Sequence, residues 1–443
     1  MNITVYLLTL GCDKNRVDGE IMLGRLVGTT AFLPIDDPAQ AEVIIVNTCG
    51  FIREATQESI DTILEMASYK LDPTTPCKAL IVTGCMAERY KEETKTEMPE
   101  IDAVLGVKDT DIIVETISQI LSLDLKPTTK DLNQIRAAAT SYTHNPHIAH
   151  IKISDGCDNA CTYCTIPSIR GAYKSRPMED ILAECRLLLD ASAKELVLVA
   201  QDTALYGTDI YGEPHLHKLM ALIAALPQKP WIRLMYAYPE HITREIIQTI
   251  AITPNICKYI DMPIQHSETD ILISMGRQST KEGLIEIINT LRKEIPGIAI
   301  RTTIMVGFPG ETVEDYRNLY NFVKEVKFDR LGVFPYSREE GTPAALMSKQ
   351  VKPHVKQARL EKLMTLQQKI HQEKQQTQIG HTLDVIIDES PQPGIYVGRS
   401  QHDAYEVDAV ISFTSNQQFK PGDLVKVNIT DAIEYDLQGV LVK

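Results

Sequence analysis

In the amino-terminal part of the chain, short apolar runs alternate with a segment of helical periodicity. The runs at residues 4–10, 43–46 and 80–83 are rich in β-branched residues and predict strands. Apolar positions at helical spacing predict a helix over residues 53–70, between the second and third runs. Strands that alternate with helices form parallel sheets with crossover connections. We therefore predict an α/β domain with a parallel sheet over residues 1–123.

The alternation resumes after a break in the middle of the chain. Residues 124–147 contain the pairs Lys126-Pro127 and Asn145-Pro146, which end regular structure and predict a linker. Helical stretches then separate six apolar runs, at residues 151–154, 196–200, 232–236, 259–263, 298–305 and 331–335. This pattern predicts a partial TIM-like barrel with a trailing helix over residues 148–375, with its chemistry at the carboxyl ends of the strands.

The carboxyl-terminal part has a third pattern, of short strands separated by turns. Apolar runs at residues 383–388, 395–399, 405–413 and 425–430 are divided by segments such as Pro391-Gln392-Pro393-Gly394. We predict a small antiparallel β-barrel over residues 376–443.

Composition narrows the class of protein. The chain has 443 residues, of which 44% are hydrophobic and 23% charged, as is ordinary for a globular protein. No apolar run approaches the roughly 20 residues that span a bilayer, and the first ten residues lack the basic start of a signal peptide. We expect a cytoplasmic protein, in which nine cysteines indicate metal or redox chemistry before disulfides. The net charge of −14 argues against a protein whose main partner is a nucleic acid backbone.

Three cysteines with C-x3-C-x2-C spacing are the most informative feature of the chain. Cys157, Cys161 and Cys164 can hold a four-iron, four-sulfur cluster and leave one iron without a protein ligand. An open coordination position is what makes a metal centre reactive instead of structural. Zinc is the alternative, and the spacing alone does not exclude it, because histidines precede the first cysteine at positions 144, 147 and 150.

A second group of three cysteines follows from the predicted topology. The three predicted amino-terminal strands each end in a cysteine, in the strings Leu10-Gly11-Cys12, Asn47-Thr48-Cys49 and Thr83-Gly84-Cys85. The carboxyl ends of parallel strands lie at one edge of a sheet, where α/β proteins bind their ligands. We therefore expect these thiols to converge on a second cluster. The alternative is three unrelated buried cysteines, since free cysteine is often a core residue.

Polar side chains after the strands of the central domain are candidates for contact with a small-molecule cofactor. Gln201 and Asp202 follow the second predicted strand, where they either meet polar groups of the cofactor or simply cap the end of the strand. Gln265 follows the fourth strand. Arg301 carries a guanidinium suited to a carboxylate, although a surface ion pair explains it equally well. Tyr163 lies between two of the central cysteines, where it either shields the cofactor or packs as an ordinary core aromatic.

Several local strings resemble the methylthiotransferase branch of the radical S-adenosylmethionine (SAM) superfamily, and within it the RimO-type enzymes. They are the central cysteine triplet and residues 10–18, 47–52, 84–90 and 261–266. The terminal barrel looks like a TRAM domain. This resemblance implies two 4Fe-4S clusters, one on each cysteine trio, with SAM bound at the open iron of the central cluster. It also implies sulfur held at the amino-terminal cluster, and transfer of a methylthio group to the β-carbon of an aspartate in the twelfth protein of the small ribosomal subunit. A low-potential donor such as flavodoxin or ferredoxin would supply the electron.

The charge of the terminal barrel bears on the substrate. Residues 376–443 contain four basic and ten acidic side chains, a balance of 4 − 10 = −6. Such a module attracts a basic ribosomal protein and repels RNA, unless the acidic residues merely form a solvated surface. Two other hypotheses are a tRNA adenosine methylthiotransferase, which predicts a basic barrel, and a non-catalytic iron–sulfur or zinc protein that docks on ribosomes.

Overall fold

A computed structural model describes residues 2–142 and 145–442, and the chain divides into two compact units. The first unit comprises residues 1–146, 150–158 and 164–191, and the second comprises residues 147–149, 159–163 and 192–443. The division therefore passes through the central cysteine loop. Across the described ranges, no helix combines the length and the apolar character that a membrane span requires.

The first unit is built on a five-stranded sheet in which all neighbouring strands are parallel. In chain order its strands are β1 (Ile3–Thr9), β2 (Phe32–Pro34), β3 (Val43–Thr48), β4 (Ala79–Gly84) and β5 (Ala103–Val104). The order across the sheet is β2-β1-β3-β4-β5, so the three strands predicted from the sequence are its central ones. Every residue of β3 and β4 is buried, which explains their continuous apolar runs. The edge strands β2 and β5 have only three and two residues, too few to show a period.

Helices cover both faces of this sheet. They are α1 (Asp13–Gly28), α2 (Arg53–Leu71), α3 (Cys85–Arg89), α4 (Lys91–Glu97), α5 (Ile113–Ile120) and α6 (Leu132–Ala139), with 3-10 turns at Pro38–Gln40, Thr110–Ile112 and Thr140–Tyr142. Helix α2 matches the predicted helix closely. Helix α6 lies inside the segment predicted as a linker, and the Asp131 side chain caps it by accepting a hydrogen bond from the Gln134 N–H.

The remaining elements of the first unit surround the start and end of the central cysteine loop. Strand β6 (Ile148–Lys152) begins in the second unit and ends in the first. A small antiparallel pair, β7 (Ser154–Asp155) with β8 (Lys174–Ser175), encloses the loop and the helix α7 (Ile166–Arg170). Helix α8 (Met178–Ala191) follows.

The second unit contains a six-stranded sheet, as the sequence predicts. Strand β6 forms one edge, and the order continues through β9 (Glu195–Val199), β10 (Trp231–Leu234), β11 (Ile256–Asp261), β12 (Ala299–Val306) and β13 (Arg330–Pro335). Neighbouring strands from β9 to β13 are parallel, so the sheet is an open part of a TIM-like barrel.

The helices of the second unit connect these strands and lead out of the sheet. They are α9 (Thr208–Tyr211), α10 (Leu216–Ala224), α11 (Arg244–Ile252), α12 (Thr269–Ser274), α13 (Lys281–Glu294), α14 (Val313–Val326), α15 (Pro343–Leu346) and α16 (Pro353–Gln376), with a 3-10 turn at Pro239–His241. Several begin at a threonine whose hydroxyl accepts a first-turn N–H, at Thr243, Thr280 and Thr312.

The carboxyl-terminal barrel is closed, and it differs from the prediction in two details. Its strands are β14 (Thr382–Gln392), β15 (Ile395–Ser400), β16 (Ile411–Thr414), β17 (Leu424–Ile433) and β18 (Asp436–Leu441). The prediction missed β18, and β16 begins six residues later than predicted because residues 405–408 form a turn and a bend. The pair β16 and β18 is parallel, whereas the other pairs are antiparallel.

A buried network of charges holds this barrel against the sheet of the second unit. Glu195, fully buried at the start of β9, accepts hydrogen bonds from Arg233 at 2.6 Å and from Arg399 of the barrel at 2.8 Å. Arg399 also binds Asp388 at 2.7 Å, and Asp388 in turn contacts His147 at 2.9 Å. Burial alone would raise the pKa of Glu195, but attraction to the two arginines outweighs it and lowers the pKa to about 2.

We predict that Glu195→Ala strongly destabilises the protein. The substitution leaves Arg233 buried without its carboxylate and Arg399 with Asp388 alone. Breaking a buried pair from one side costs about 3–5 kcal/mol. Urea denaturation followed by circular dichroism measures the change in the free energy of unfolding. Asp384→Ala is the matched control, because it breaks an exposed ion pair. The side chains of Asp384 and its partner Lys426 are 53% and 64% exposed, and such pairs contribute about 0–1 kcal/mol. Equal losses in the two variants would contradict a structural role for the network.

Candidate functional site

The three amino-terminal cysteines lie at one edge of the first sheet. Cys12 precedes α1 as its N-cap residue, Cys49 follows β3, and Cys85 is the first residue of α3, directly after β4. The strands before them are neighbours in the order β1-β3-β4. The last residues of β3 and β4 pair with each other, and the last residue of β1 pairs with Asn47, one residue before the end of β3. Parallel pairing therefore brings the three thiols to the same edge, as the sequence predicts.

Close backbone approach brings the loops of this edge together. A Cβ added to Gly11 would lie 2.7 Å from the Cβ and 2.9 Å from the Sγ of Cys49, and Gly11 has a φ of +87°. Glycine is required here because any side chain would collide with Cys49. Asn15, in the first turns of α1, donates hydrogen bonds to the carbonyl oxygens of Leu10 at 2.9 Å and Thr48 at 2.8 Å. This one side chain fixes the ends of two neighbouring strands relative to each other.

The donor set of this edge suits an iron–sulfur cluster. No cysteine within the described ranges forms a disulfide, and Cys12 is near enough to Cys49 and Cys85 for its charge to raise both of their pKa values. Within the described ranges, no three His, Cys, Asp or Glu side chains have the spacing of ligands to a single metal ion. A cluster binds each thiolate through a different iron and therefore holds its ligands further apart. Three thiols at one edge of the sheet therefore fit such a cluster.

A buried arginine that the sequence reasoning missed contacts this edge. Arg170, at the end of α7, is 5% exposed, and its Nη2 lies 3.6 Å from the Sγ of Cys85. Burial raises the pKa of the Cys85 thiol to about 11, and the charge of Arg170 opposes this increase. The only signal in the sequence is a single cation in the segment Ile166-Pro167-Ser168-Ile169-Arg170, six residues after Cys164.

The two ends of the central cysteine loop belong to the first unit. The Cys157 N–H donates to the Gly171 carbonyl oxygen at 3.1 Å, and the Sγ of Cys164 accepts from the Ile166 N–H at 3.4 Å. Thr165, next to Cys164, donates to the carbonyl oxygen of Phe51 at 3.4 Å, two residues after Cys49. The end of the central loop therefore lies beside the amino-terminal cysteine edge.

The middle of the central loop belongs to the second unit. The Sγ of Cys161 lies 3.4 Å from the Oη of Tyr238, in the segment that follows β10. The guanidinium of Arg277 stacks on the Tyr238 ring, 4.0 Å from its centroid. Tyr163 is 8% exposed and packs edge-on against Phe308, with the ring centroids 6.5 Å apart.

The polar candidates Gln201, Asp202 and Gln265 lie at the carboxyl end of the second sheet. Asp202 is fully buried; it accepts a hydrogen bond from Asn159 of the central loop at 3.0 Å and contacts His241 at 2.6 Å. Its carboxylate raises the pKa of His241 against the effect of burial. Asp202 therefore holds the loop between Cys157 and Cys161.

Gln265 continues the edge beyond β11. It has a φ of +68° and forms an isolated parallel bridge with Ile304 of β12. Gln201 lies two residues after the end of β9. The structure thus brings these two amides to the edge of the sheet at which the central loop is anchored through Asn159.

Arg301 lies elsewhere in the second unit. In the register of β11 and β12, Arg301 pairs with Asp261, whereas Gln265 pairs with Ile304. Arg301 is therefore three residues, or about 10 Å, further from the carboxyl end of β12 than the partner of Gln265. Its guanidinium binds Asp408 of the terminal barrel at 2.9 Å. The structure does not bring Arg301 together with the other candidates, because the barrel supplies the carboxylate that binds it.

The histidines considered as zinc ligands have other partners where they are described. His147 contacts Asp388 at 2.9 Å in the second unit, and His150 contacts Asp13 at 3.4 Å in the first. His144 lies outside the described residues.

Three regions of the chain match known families. Residues 4–106 match the uncharacterized protein family UPF0004, residues 151–323 match the radical SAM superfamily, and residues 379–442 match the TRAM domain. Two solved structures of TsrM, a radical SAM methyltransferase from Kitasatospora setae, share the fold at 15% and 14% sequence identity, with TM-scores of 0.55 and 0.56. They cover 78% and 83% of this chain, and the similar regions make up 77% and 89% of theirs.

Relatives with much higher identity extend over almost the whole chain. The ribosomal protein uS12 methylthiotransferase RimO of Clostridium botulinum is 47% identical over 99% of this chain and 98% of its own length. The proteins of the same name from Desulforamulus reducens and Clostridioides difficile are also 47% identical over 99% of this chain, and over 100% and 98% of their own lengths. The chain therefore belongs to the RimO family of methylthiotransferases, within the radical SAM superfamily.

Proposed function

We propose that this enzyme adds a methylthio group to the β-carbon of an aspartate in ribosomal protein uS12, with two SAM molecules and two 4Fe-4S clusters. The observation that carries the proposal is the position of the two cysteine groups. Three thiols meet at one sheet edge, and Thr165, the residue after Cys164, contacts the loop that follows Cys49. Sulfur transfer between two cofactors requires their sites to be adjacent.

Each cysteine trio has a defined part in this proposal. Cys157, Cys161 and Cys164 would hold the cluster that binds SAM, and Cys12, Cys49 and Cys85 would hold the cluster that carries the sulfur. When bound, these groups supply one electron for reductive cleavage of SAM, a radical that takes hydrogen from the substrate carbon, and the sulfur to be inserted. The chain itself orients the cofactors and excludes water. Cys85, Cys157 and Cys161 are all less than 9% exposed.

Side chains around the central loop have two kinds of role. Tyr163, Gln201 and Gln265 would contact SAM at the carboxyl edge of the second sheet. Asp202 would instead position the cysteine loop through Asn159, since its carboxylate is already bound there. Arg301 would anchor the barrel through Asp408.

The surface of the terminal barrel supports a basic protein substrate over RNA. Three of its ten acidic side chains, Asp388, Asp403 and Asp408, are buried and bind arginines. Six others are exposed, at Asp384, Glu389, Glu406, Asp431, Glu434 and Asp436. Among the described barrel residues only two basic side chains are exposed, Lys420 and Lys426. The exposed surface is therefore acidic, which attracts a basic ribosomal protein and disfavours the tRNA alternative.

Other parts of the proposal follow from the family. The electron donor is a low-potential protein such as flavodoxin or ferredoxin, and the enzyme acts in the cytoplasm. The domain boundaries are 1–123 for the amino-terminal domain, 124–147 for the linker, 148–375 for the radical SAM domain and 376–443 for the barrel.

We predict that replacing either trio by alanine halves the iron content. The full chain, reconstituted anaerobically, should bind about eight iron atoms, and the variants Cys12→Ala/Cys49→Ala/Cys85→Ala and Cys157→Ala/Cys161→Ala/Cys164→Ala about four each. Cys77→Ala/Cys185→Ala/Cys257→Ala is the matched control and should retain all of the iron. Iron is measured by a colorimetric assay against protein concentration. Full iron content in either trio variant would contradict the assignment.

We predict that uS12 from cells that lack this enzyme is lighter by one methylthio group in place of hydrogen. Mass spectrometry of the intact small-subunit proteins measures the difference, and fragmentation locates it on an aspartate. Expression of the wild-type chain should restore the mass, whereas either trio variant should not. An unchanged uS12 together with an altered tRNA adenosine would support the alternative function.

We predict that reversing charges on the terminal barrel weakens binding of uS12. Asp431→Lys/Glu434→Lys should lower the association rate, with a smaller effect at high salt because the interaction is between exposed charges. Glu54→Lys/Glu58→Lys, on the exposed face of α2, is the control for net charge. Surface plasmon resonance measures both rates. An equal loss in the control would indicate that only total charge matters.

A further inference from the structure

Arg170 places a cation in contact with a sulfur of the amino-terminal cysteine edge. Its Nη2 donates toward the Sγ of Cys85 at 3.6 Å, within hydrogen-bond range for sulfur. The same nitrogen lies 2.9 Å from Asp18 and 3.2 Å from the Oδ1 of Asn15. The guanidinium therefore has its full charge directly beside a proposed cluster ligand.

Arg170 belongs to a balanced group of four buried or half-buried charges in the first unit. Its Nη1 binds both oxygens of Asp155 at 3.2 Å. Lys152 binds the same two carboxylates, Asp18 at 2.5 Å and Asp155 at 2.8 Å. The two cations balance the two anions, so no net charge is buried. Only Arg170 of the two cations reaches a cysteine in the described contacts.

These contacts join the flanks of both cysteine groups. Asp18 and Asn15 lie in the helix that follows Cys12, and Asp155 comes two residues before Cys157. Arg170 itself comes six residues after Cys164. One side chain is therefore bound to the segments that carry both sets of ligands.

We propose that Arg170 is a positioning residue that raises the reduction potential of the amino-terminal cluster through its N–H contact with the Cys85 sulfur. This inference rests on the proposed function, which places a cluster on Cys12, Cys49 and Cys85. Reduction adds one electron to the cluster and moves no atom. A hydrogen bond and a positive charge at a ligand sulfur stabilise the more negative, reduced form, and such contacts are among the factors that set cluster potentials.

The test isolates one cluster in the full chain. In the variant Cys157→Ala/Cys161→Ala/Cys164→Ala, reconstituted anaerobically, only the amino-terminal trio is left to bind about four iron atoms. A redox titration followed by electron paramagnetic resonance then measures the midpoint potential of that cluster. Three further substitutions are made in this parent: Arg170→Met, Arg170→Lys and Lys152→Met.

The three substitutions separate the contact from the charge. Arg170→Met removes both, so we expect the largest shift to a more negative potential. Arg170→Lys keeps the charge but loses the planar fork that reaches the sulfur, so we expect an intermediate shift. Lys152→Met removes one charge from the same network and keeps the sulfur contact, so we expect the smallest shift.

Several results would overturn the inference. An Arg170→Lys potential equal to that of the parent, or a Lys152→Met shift as large as that of Arg170→Met, would show that the contact has no specific effect. If Arg170→Met fails to hold iron, a larger shift in Arg170→Lys than in Lys152→Met supports the inference, and the reverse order overturns it. A parent that binds no iron would overturn the amino-terminal cluster and this inference together, whereas bound iron with an unchanged potential overturns only the inference.

Discussion

Parallel pairing of three neighbouring strands is the constraint on which the candidate site depends. Strands β1, β3 and β4 end within one residue of one another in the register, so the residues that follow them have to share one edge of the sheet. Cys12, Cys49 and Cys85 are separated by dozens of residues, yet the hydrogen-bond register places them together. The loops that carry Cys12 and Cys49 also approach each other closely, because Gly11 lacks the Cβ that would collide with Cys49. A shift of register would separate the thiols.

Buried charge is handled in the same way in both units. In the second unit Glu195 lies between two arginines, one of which comes from the barrel. In the first unit Asp18 and Asp155 each bind Arg170 and Lys152. Pairing offsets the free-energy cost of removing these groups from water. A complete network is needed because a single unpaired buried charge strongly destabilises the folded state. In the first unit Arg170 also donates toward the Sγ of Cys85.

Candidate residues were chosen because they follow predicted strands. This criterion identified the positions of most of them, but it did not reveal which groups their side chains bind. Asp202 follows β9 as expected, and its buried carboxylate holds Asn159 and His241. Arg301 is in a strand of the same sheet, but it lies near the amino end and binds Asp408 of the barrel. Strand position is visible as an apolar run in the sequence, whereas the partner of a charged side chain depends on which segments fold against it.

The three-part architecture, the central strands and the two groups of cysteines could all be predicted from the amino-acid sequence, because apolar periodicity and ligand spacing are local properties of the chain. The short strands β2 and β5 were not predicted, since a two- or three-residue strand has no period and tertiary contacts stabilise it. The six-residue fifth strand of the barrel and the eight-residue helix inside the predicted linker were also missed. The contact between Arg170 and Cys85 could not be predicted in this way. That contact joins residues 85 positions apart in the chain, and long-range packing, not local pattern, brings them together.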